Sequence, residues 1–309
     1  MQIVRGLDQY RPDAPPSVVA QGTFDGIHLG HQAVIRTAVG RARTLGVHPV
    51  AVTFDPNPLA VLRPAEAPPE LLPLEERLKR IAELGPEVCL VIPFTEEFSR
   101  VEAEVYVRDV LLGLLRAREI VVGFNHAFGR GARGTPDLLR SLAGPSGVLV
   151  HVVAPLRVDG VAVSSTAIRE ALRDGDVGRA ASLLGRPFMI AGLVVRGAAR
   201  GRTLGFPTAN LSGPPGPLLA DGVYTARAAW DGQSAGAVVN VGMRPTVDGA
   251  TRIVEAHLLD VASDLYGRTL SLAFLHRIRA ERRFASIEAL QVQIAQDVEV
   301  ARRLLGSVA

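Results

Sequence analysis

Cysteine and lysine are almost absent from this chain of 309 residues: Cys89 is the single cysteine, and Lys79 is the single lysine among 34 basic residues. One cysteine excludes an internal disulfide and a cysteine-rich metal site. One lysine, set in Leu78-Lys79-Arg80, excludes a Walker A loop, which needs a glycine-rich turn ending in Lys-Ser/Thr. Any phosphoryl transfer by this chain therefore runs without P-loop chemistry, and a Schiff-base lysine is not expected. Long apolar runs are missing too, and none would span a bilayer. The polar stretch Met1 to Arg11 has no signal-peptide core, so a cytoplasmic protein is expected. A net charge of +3 and a pI near 9.5 look basic. The charges are interleaved, however, and no long basic run exists. That pattern indicates a solvated arginine-rich surface, with neither nucleic acid nor membrane as partner; protein partners are not legible.

What is present is apolar sequence in quantity, 48% of the chain. At this length it predicts about two domains, each with its own core. The first half is organised around Gly22-Thr23-Phe24-Asp25-Gly26-Ile27-His28-Leu29-Gly30-His31. The run Ser17 to Ala20 before it reads as a buried strand, and Gln32 to Leu45 after it as a helix. Two histidines thus sit where a strand turns into a helix. Free N–H groups and a partial positive charge at the helix start suit a phosphate. His28 and His31 are three residues apart and can address one ligand. Imidazole N–H groups there can stabilise charge growing on phosphoryl oxygens. The competing readings are a glycine-rich turn whose histidines cap a helix, and a zinc pair. The second lacks further ligands nearby.

Further apolar runs at Pro49–Phe54, Val88–Phe94, Glu119–Gly123 and Gly147–Val153 read as strands. They alternate with helical patterns at Leu74–Leu84 and Glu102–Arg116, which predicts a parallel sheet covered on both faces. Ligands of such sheets bind beyond the carboxyl ends of the strands. Three loops leave such ends: the histidine turn, Asp55-Pro56-Asn57-Pro58, and Gly123-Phe124-Asn125-His126-Ala127-Phe128-Gly129. Asn125 in the last can hold a base or a phosphate. Ser164-Ser165-Thr166-Ala167-Ile168-Arg169 opens a later helix; its hydroxyls read as N-caps or, with Arg169, as a phosphate clamp.

After a helical stretch broken at Asp174-Gly175-Asp176, the segment Gly185-Arg186-Pro187 marks a domain boundary, giving domains 1–185 and 186–309. Short β-rich runs follow at Phe188–Val195, Gly222–Trp230, Ala235–Val241, Arg252–Leu259 and Thr269–Ile278. Strands without intervening helices predict an antiparallel barrel. Ser286 to Leu305 reads as one long terminal helix with an apolar stripe at Ile287, Leu290, Ile294, Val298 and Leu305. The segment Gly197-Ala198-Ala199-Arg200-Gly201-Arg202-Thr203-Leu204-Gly205-Phe206-Pro207-Thr208-Ala209-Asn210 offers glycines and arginines suited to phosphates. Thr208 and Asn210 alternate in an extended stretch, so their oxygens can share a side. Neutral oxygens joined by nucleotide phosphates are a common way to hold Mg²⁺.

The first motif resembles the HxGH signature of the nucleotidyltransferase superfamily, whose members attack the α-phosphate of a nucleoside triphosphate. The order G-T-F-D-G-x-H-x-G-H, T-F-D-P-x-P, V-G-F-N-x-x-F-G, S-S-T-x-I-R resembles the FMN adenylyltransferase module of prokaryotic bifunctional riboflavin kinase/FAD synthetases. The resemblance implies a Rossmann-like domain in which His28 and His31 are catalytic. It implies that Gly22, Phe24, Asp25, Asn125, Ser164, Ser165, Thr166 and Arg169 bind ATP. Asn57 stands where that family has histidine, and His126 where an aromatic is common. The second half is similar to riboflavin kinase through G-x-x-x-G-x-x-L-G-F-P-T-A-N and Asn240-Val241-Gly242-Met243-Arg244-Pro245-Thr246. Val254-Glu255-Ala256-His257 and Phe274-Leu275-His276-Arg277-Ile278-Arg279 extend the match. That likeness implies Glu255 as the base for the riboflavin 5′-hydroxyl, Thr208 and Asn210 as Mg²⁺ ligands, and an ATP and flavin site from Gly197, Gly201, Arg202, Gly205, Pro207, Thr208, Asn210, Asn240 and Arg279. The implied function is ATP-dependent conversion of riboflavin to FMN and of FMN to FAD. The alternative is a kinase whose first domain is idle because of Asn57.

Overall fold

The computed structural model describes residues 1–11, 13–197, 205–212, 218–246 and 249–306. They divide into two compact units, Met1–Ser165 and Thr166–Ala309.

The first unit is built on a six-stranded sheet in the order β1-β4-β3-β2-β5-β6. Its strands are β1 (Gln2–Arg5), β2 (Ser17–Gln21), β3 (His48–Asp55), β4 (Val88–Pro93), β5 (Ala117–Gly123) and β6 (Leu149–Val153). Every pairing is parallel. All five residues of the central β2 are buried, which is why it reads as a continuous apolar run rather than an alternating one. Successive residues of the strands feed two cores. Val19, Val50, Val52 and Ile120 pack on one face, and Val18, Ala20, Ala51 and Val121 on the other. β1 escapes the sequence reading because only Val4 of its four residues is buried.

Helix α1 (Leu29–Leu45) covers the second face through Val34, Ile35, Ala38 and Ala42, and stops at Gly46 in the left-handed conformation. The chain continues through α2 (Pro58–Leu62), α3 (Leu74–Ala82), α4 (Glu96–Ser99) and α5 (Ala103–Val105), which runs into a π-helical stretch Tyr106–Leu114. α6 (Pro136–Ala143) and a small hairpin of β7 (Arg157–Val158) and β8 (Val161–Ala162) complete the unit. Cys89 lies in the α1-side core. Burial pushes its thiol pKa up to about 12, against the pull of Arg77 and Arg5.

The second unit begins within α7 (Ser165–Asp174), followed by α8 (Val177–Leu184). The break falls at Gly175, φ 77°, as the sequence predicts. Strands β9 (Phe188–Val195), β10 (Ala209–Ser212), β11 (Gly222–Trp230), β12 (Gln233–Thr246), β13 (Gly249–Leu258) and β14 (Thr269–Ala280) close a barrel in the order β10-β13-β12-β11-β14-β9. All of its pairings are antiparallel. The short β10 lies in the stretch read from sequence only as extended.

Helix α9 (Ile287–Gly306) lies on the outside of the barrel, where Val298 and Ala301 pack on Val223, Val238 and Leu259. Ser286 caps it, its Oγ accepting the Ala289 N–H at 3.2 Å. Ile287 is 66% exposed, so the apolar stripe seals only from Ile294 onward. An ion pair completes the attachment. Arg279 of β14 donates from Nη2 to Asp297 at 2.8 Å, with Nε 3.1 Å from both carboxylate oxygens. Gln293 donates to the same carboxylate at 2.8 Å. Asp297 is buried, so removing it strands the Arg279 cation. Asp297→Ala is expected to destabilise the second unit by about 3 kcal/mol in denaturant unfolding, with Asp297→Asn costing less because its amide oxygen still accepts.

Candidate active sites

The turn between β2 and α1 departs from ordinary backbone at three of four positions. Phe24 has φ 52°, Gly26 φ 85° and Ile27 φ 42°. A β-branched residue in the left-handed region is a true outlier and persists only where its surroundings enforce it. Here they do. The rings and chains of Phe24 and Ile27 are sunk into the core. The Thr23 carbonyl accepts from Thr53 Oγ1 at 3.0 Å and from Arg77 Nη1 at 2.9 Å. The buried Asp25 carboxylate accepts the Leu71 N–H at 2.9 Å, and the Asp25 carbonyl accepts from Ser165 Oγ at 2.9 Å. Gly22 passes under Phe24 so closely that a Cβ would lie 2.9 Å from the ring. The strain is thus held by contacts from β3, α3, the 67–73 loop and the start of α7.

This scaffold presents the two histidines together. Their rings stack with centroids 3.5 Å apart and planes 17° from parallel, and the edge of Phe24 closes on His31 at 5.4 Å. His28 is also the N-cap of α1: its Nδ1 accepts the His31 N–H at 3.2 Å. A neutral ring that accepts at Nδ1 carries its proton at Nε2 and is a donor there. His31 Nδ1 is buried without a partner. The His31 pKa is held well below its ordinary value, first by burial and then by the nearby charges of His28 and Arg77. The helix-cap reading and the ligand reading of His28 are therefore compatible, since the cap uses one nitrogen only.

Strands β3 and β5 flank β2 in parallel, so the loops after all three leave the same edge. Asn57 in the first caps α2, its Oδ1 accepting the Leu59 N–H at 3.1 Å. Asn125 in the second is exposed, in a turn closed by the His126 N–H on the Gly123 carbonyl at 3.1 Å. His126 stacks on Phe128 at 5.6 Å, and burial of its ring pushes its pKa down to about 4, so it is neutral at physiological pH. Ser164 and Ser165 are half-buried, Thr166 is exposed and Arg169 is buried. The single O–H donor of Ser165 is engaged by Asp25.

In the second unit the polar candidates form a row around the barrel. Asn210 of β10 pairs in register with Glu255 of β13, Glu255 with Asn240 of β12, Asn240 with Val223 of β11, and Val223 with Arg279 of β14. Residues directly opposite in antiparallel strands point to one face. Val223 and Arg279 touch α9 residues, so this is the outer face of the barrel. Thr208, two residues before Asn210, belongs to the same alternation, and both are half-buried while Ala209 between them is buried. Gly197 makes room for Asn210: a Cβ there would sit 2.4 Å from the amide nitrogen. Gly205 adopts φ 85° ahead of Pro207. His257 Nδ1 donates to the Pro207 carbonyl at 2.9 Å and its ring meets Phe206 edge-on at 5.6 Å, fastening this segment to the strand that carries Glu255. Gly201 and Arg202 lie outside the described residues.

Three participants were not read from the sequence. Arg77 shares the buried face of α3 with Leu78 and Ile81, and its place among apolar helical positions was the available signal. His257 follows Glu255 by two residues on one strand face, a period-2 signal. Asp297 sits one residue before the core residue Val298 and carries no local mark.

Two family models match the chain in succession. The model described as FAD synthetase matches residues 11–167, and the one described as riboflavin kinase matches residues 184–305. The bifunctional riboflavin kinase/FMN adenylyltransferase of Escherichia coli (strain K12) is 38% identical over 311 residues, covering 99% of this chain and 98% of that protein. The protein of the same description from Pseudomonas fluorescens is 39% identical over 305 residues, with 98% of each chain covered. That of Bacillus subtilis (strain 168) is 36% identical, covering 94% of this chain and 93% of its own. A crystal structure described as a macrolide-efflux protein from Streptococcus pneumoniae superposes with a TM-score of 0.87 at 32% identity, over 98% of this chain and 99% of that one. Among the described residues no helix is long and apolar enough to cross a membrane. With both domains matched in order along one polypeptide, the chain belongs to the bifunctional riboflavin kinase/FMN adenylyltransferase family.

Proposed function

We propose that the barrel transfers the γ-phosphoryl group of ATP to the 5′-hydroxyl of riboflavin, and that the first domain transfers the adenylyl group of a second ATP to the FMN so formed, giving FAD and pyrophosphate. The chain is a transferase with one kinase domain and one nucleotidyltransferase domain. We place their functional boundary at 185/186, where Gly185 ends α8 in the left-handed conformation.

In the first reaction Glu255 accepts the hydroxyl proton as the P–O bond forms, since an alcohol is a poor nucleophile until that proton is taken. Asn240 beside it holds the flavin side of the site, with Gly197, Gly201, Arg202, Gly205 and Pro207 shaping the approach of the phosphates. Thr208 and Asn210 offer hard oxygen donors, and among the described residues no cluster of three or more carboxylate, histidine or cysteine side chains competes for an ion. That donor set fits Mg²⁺ shared with phosphate oxygens, where it would offset phosphate charge. Arg279 serves the site by holding α9.

In the second reaction Gly22 and the strained turn bring backbone N–H groups to the triphosphate. His28 donates from Nε2, and neutral His31 from its ring, to the α-phosphate as negative charge develops. Asn125 supports the nucleotide. Ser164, Thr166 and Arg169 receive the departing pyrophosphate together with Ser165, whose hydroxyl must turn from the Asp25 carbonyl to donate to it. Neither step calls for a covalent enzyme intermediate; positioning and electrostatics suffice.

The observation that carries this reading is the separate gathering of the two motif sets: the stacked histidine pair at one strand end, and Asn210, Glu255 and Asn240 in one row of the barrel. Incubation with riboflavin, ATP and Mg²⁺, followed by chromatography, is expected to show FMN rising first and FAD accumulating after it. FMN without FAD, also when FMN is supplied, would favour the alternative of an idle first domain. No FMN at all would refute the kinase assignment.

A further inference from the structure

Among the described residues Arg77 is the largest of the almost fully buried side chains, at 1% exposure. Removing a guanidinium from water costs several kcal/mol unless its donors are matched. Here they are not matched. Nη1 donates to the Thr23 carbonyl at 2.9 Å. Nη2 lies 3.5 Å from an Asp55 carboxylate oxygen without a well-formed hydrogen bond, and Nε has no partner. Leu78 and Ile81 share its buried helix face. An arginine retained there at such cost calls for a reason beyond packing. Its contacts supply one. The carbonyl it holds belongs to the residue before Phe24, the first of the strained positions in the histidine turn. Its carboxylate neighbour ends β3, whose loop leaves beside that turn.

We propose that Arg77 is a positioning residue for adenylyl transfer: from α3 it clamps the Thr23 carbonyl and sets a fixed positive charge near His31 of the His28–His31 pair. The proposal rests on the adenylyltransferase reading above. Its chemical content is twofold. The clamp keeps the strained turn in the form that stacks the two rings. The charge disfavours protonation of His31, so the ring meets a polyphosphate as a neutral donor of one N–H. Burial is the main reason that the His31 pKa is low, and the charges of His28 on the same turn and of Arg77 add to it. The other ionisable groups on the elements around it are engaged elsewhere. Asp25 accepts the Leu71 N–H, Asp55 stands beside Arg77, and Glu119 of β5 pairs with Arg41, about three turns further along α1.

The test uses the full chain with Arg77→Met and Arg77→Lys, measuring FAD formation from FMN and ATP across pH, with FMN formation from riboflavin as an internal control. The unaltered chain is assayed first; if it forms no FAD from FMN, the adenylyltransferase reading fails and not this inference. Arg77→Met is expected to lower kcat for FAD about 100-fold with a much smaller change in KM for ATP, the scale of a displaced catalytic group. Because the lost charge had added to burial and His28 in holding the His31 pKa down, the acid limb of the profile moves to higher pH. Arg77→Lys keeps the charge and is expected to leave the acid limb in place while recovering only part of kcat. FMN formation stays unchanged in both. An acid limb that stays put in Arg77→Met, or a kcat equal to that of the unaltered chain, would overturn the proposal. If Arg77→Met fails to fold, Arg77→Lys decides alone: a lowered kcat with an unmoved limb supports it, and a displaced limb or full kcat overturns it.

Discussion

Replacing His28 with alanine is expected to slow FAD formation from FMN by two to three orders of magnitude while riboflavin is still converted to FMN. The magnitude is that of losing one preorganised donor to a developing oxyanion, about 10²–10³-fold. The geometry gives reasons to expect the upper end. His28 holds the N-cap of α1 through Nδ1 and one face of the His31 ring by stacking. Alanine removes the donor, the cap and the stacking partner together. His28→Asn separates these contributions, because an asparagine can cap a helix as well as histidine does. Its stability should approach that of the unaltered chain while FAD formation stays low. The measurement is a pair of steady-state assays on one preparation, FMN to FAD and riboflavin to FMN. Equal loss of both activities in a folded protein would contradict the division of labour between the domains.

Glu255→Gln is expected to lower FMN formation by about 10²–10⁴-fold, the usual worth of a general base. Glutamine keeps the length and polarity of the side chain, and so its fit between Asn210 and Asn240 on the neighbouring strands. It cannot take a proton. FAD formation from supplied FMN should proceed at its normal rate. A kinase rate within threefold of the unaltered chain would remove Glu255 from the chemistry and return it to being one more carboxylate on a strand face. Asn210→Ala gives a useful contrast, because its effect should depend on the Mg²⁺ concentration if Asn210 helps to hold the ion.

Much of this architecture is written locally. β2 and its turn are legible because a central parallel strand is apolar throughout and a helix must begin where the glycines allow the chain to bend. The barrel strands are legible because Gly, Pro and Asp punctuate them at short intervals. What cannot be read is long-range. β1 is a strand only because β4 lies beside it. The in-register row of Asn210, Glu255, Asn240 and Arg279 joins residues 45, 15 and 39 positions apart in the sequence, and no local pattern fixes which strands become neighbours. Arg77 falls among the apolar positions of an amphipathic helix, but its partner, the Thr23 carbonyl, lies 54 residues away and has no local mark. Asn57, one of the two departures at motif positions in the first domain, proves to serve as the cap of a short helix, a use that its neighbour Pro58 favours.

The sole thiol of the chain, Cys89, has 0% exposure and a pKa pushed up to about 12. A buried, protonated thiol is a poor nucleophile toward maleimides or disulfide reagents. A cysteine introduced on the surface would therefore be the only group such reagents label, with no need to remove the native one. A single fluorophore or spin label could then be placed at any chosen surface position in an otherwise unaltered sequence.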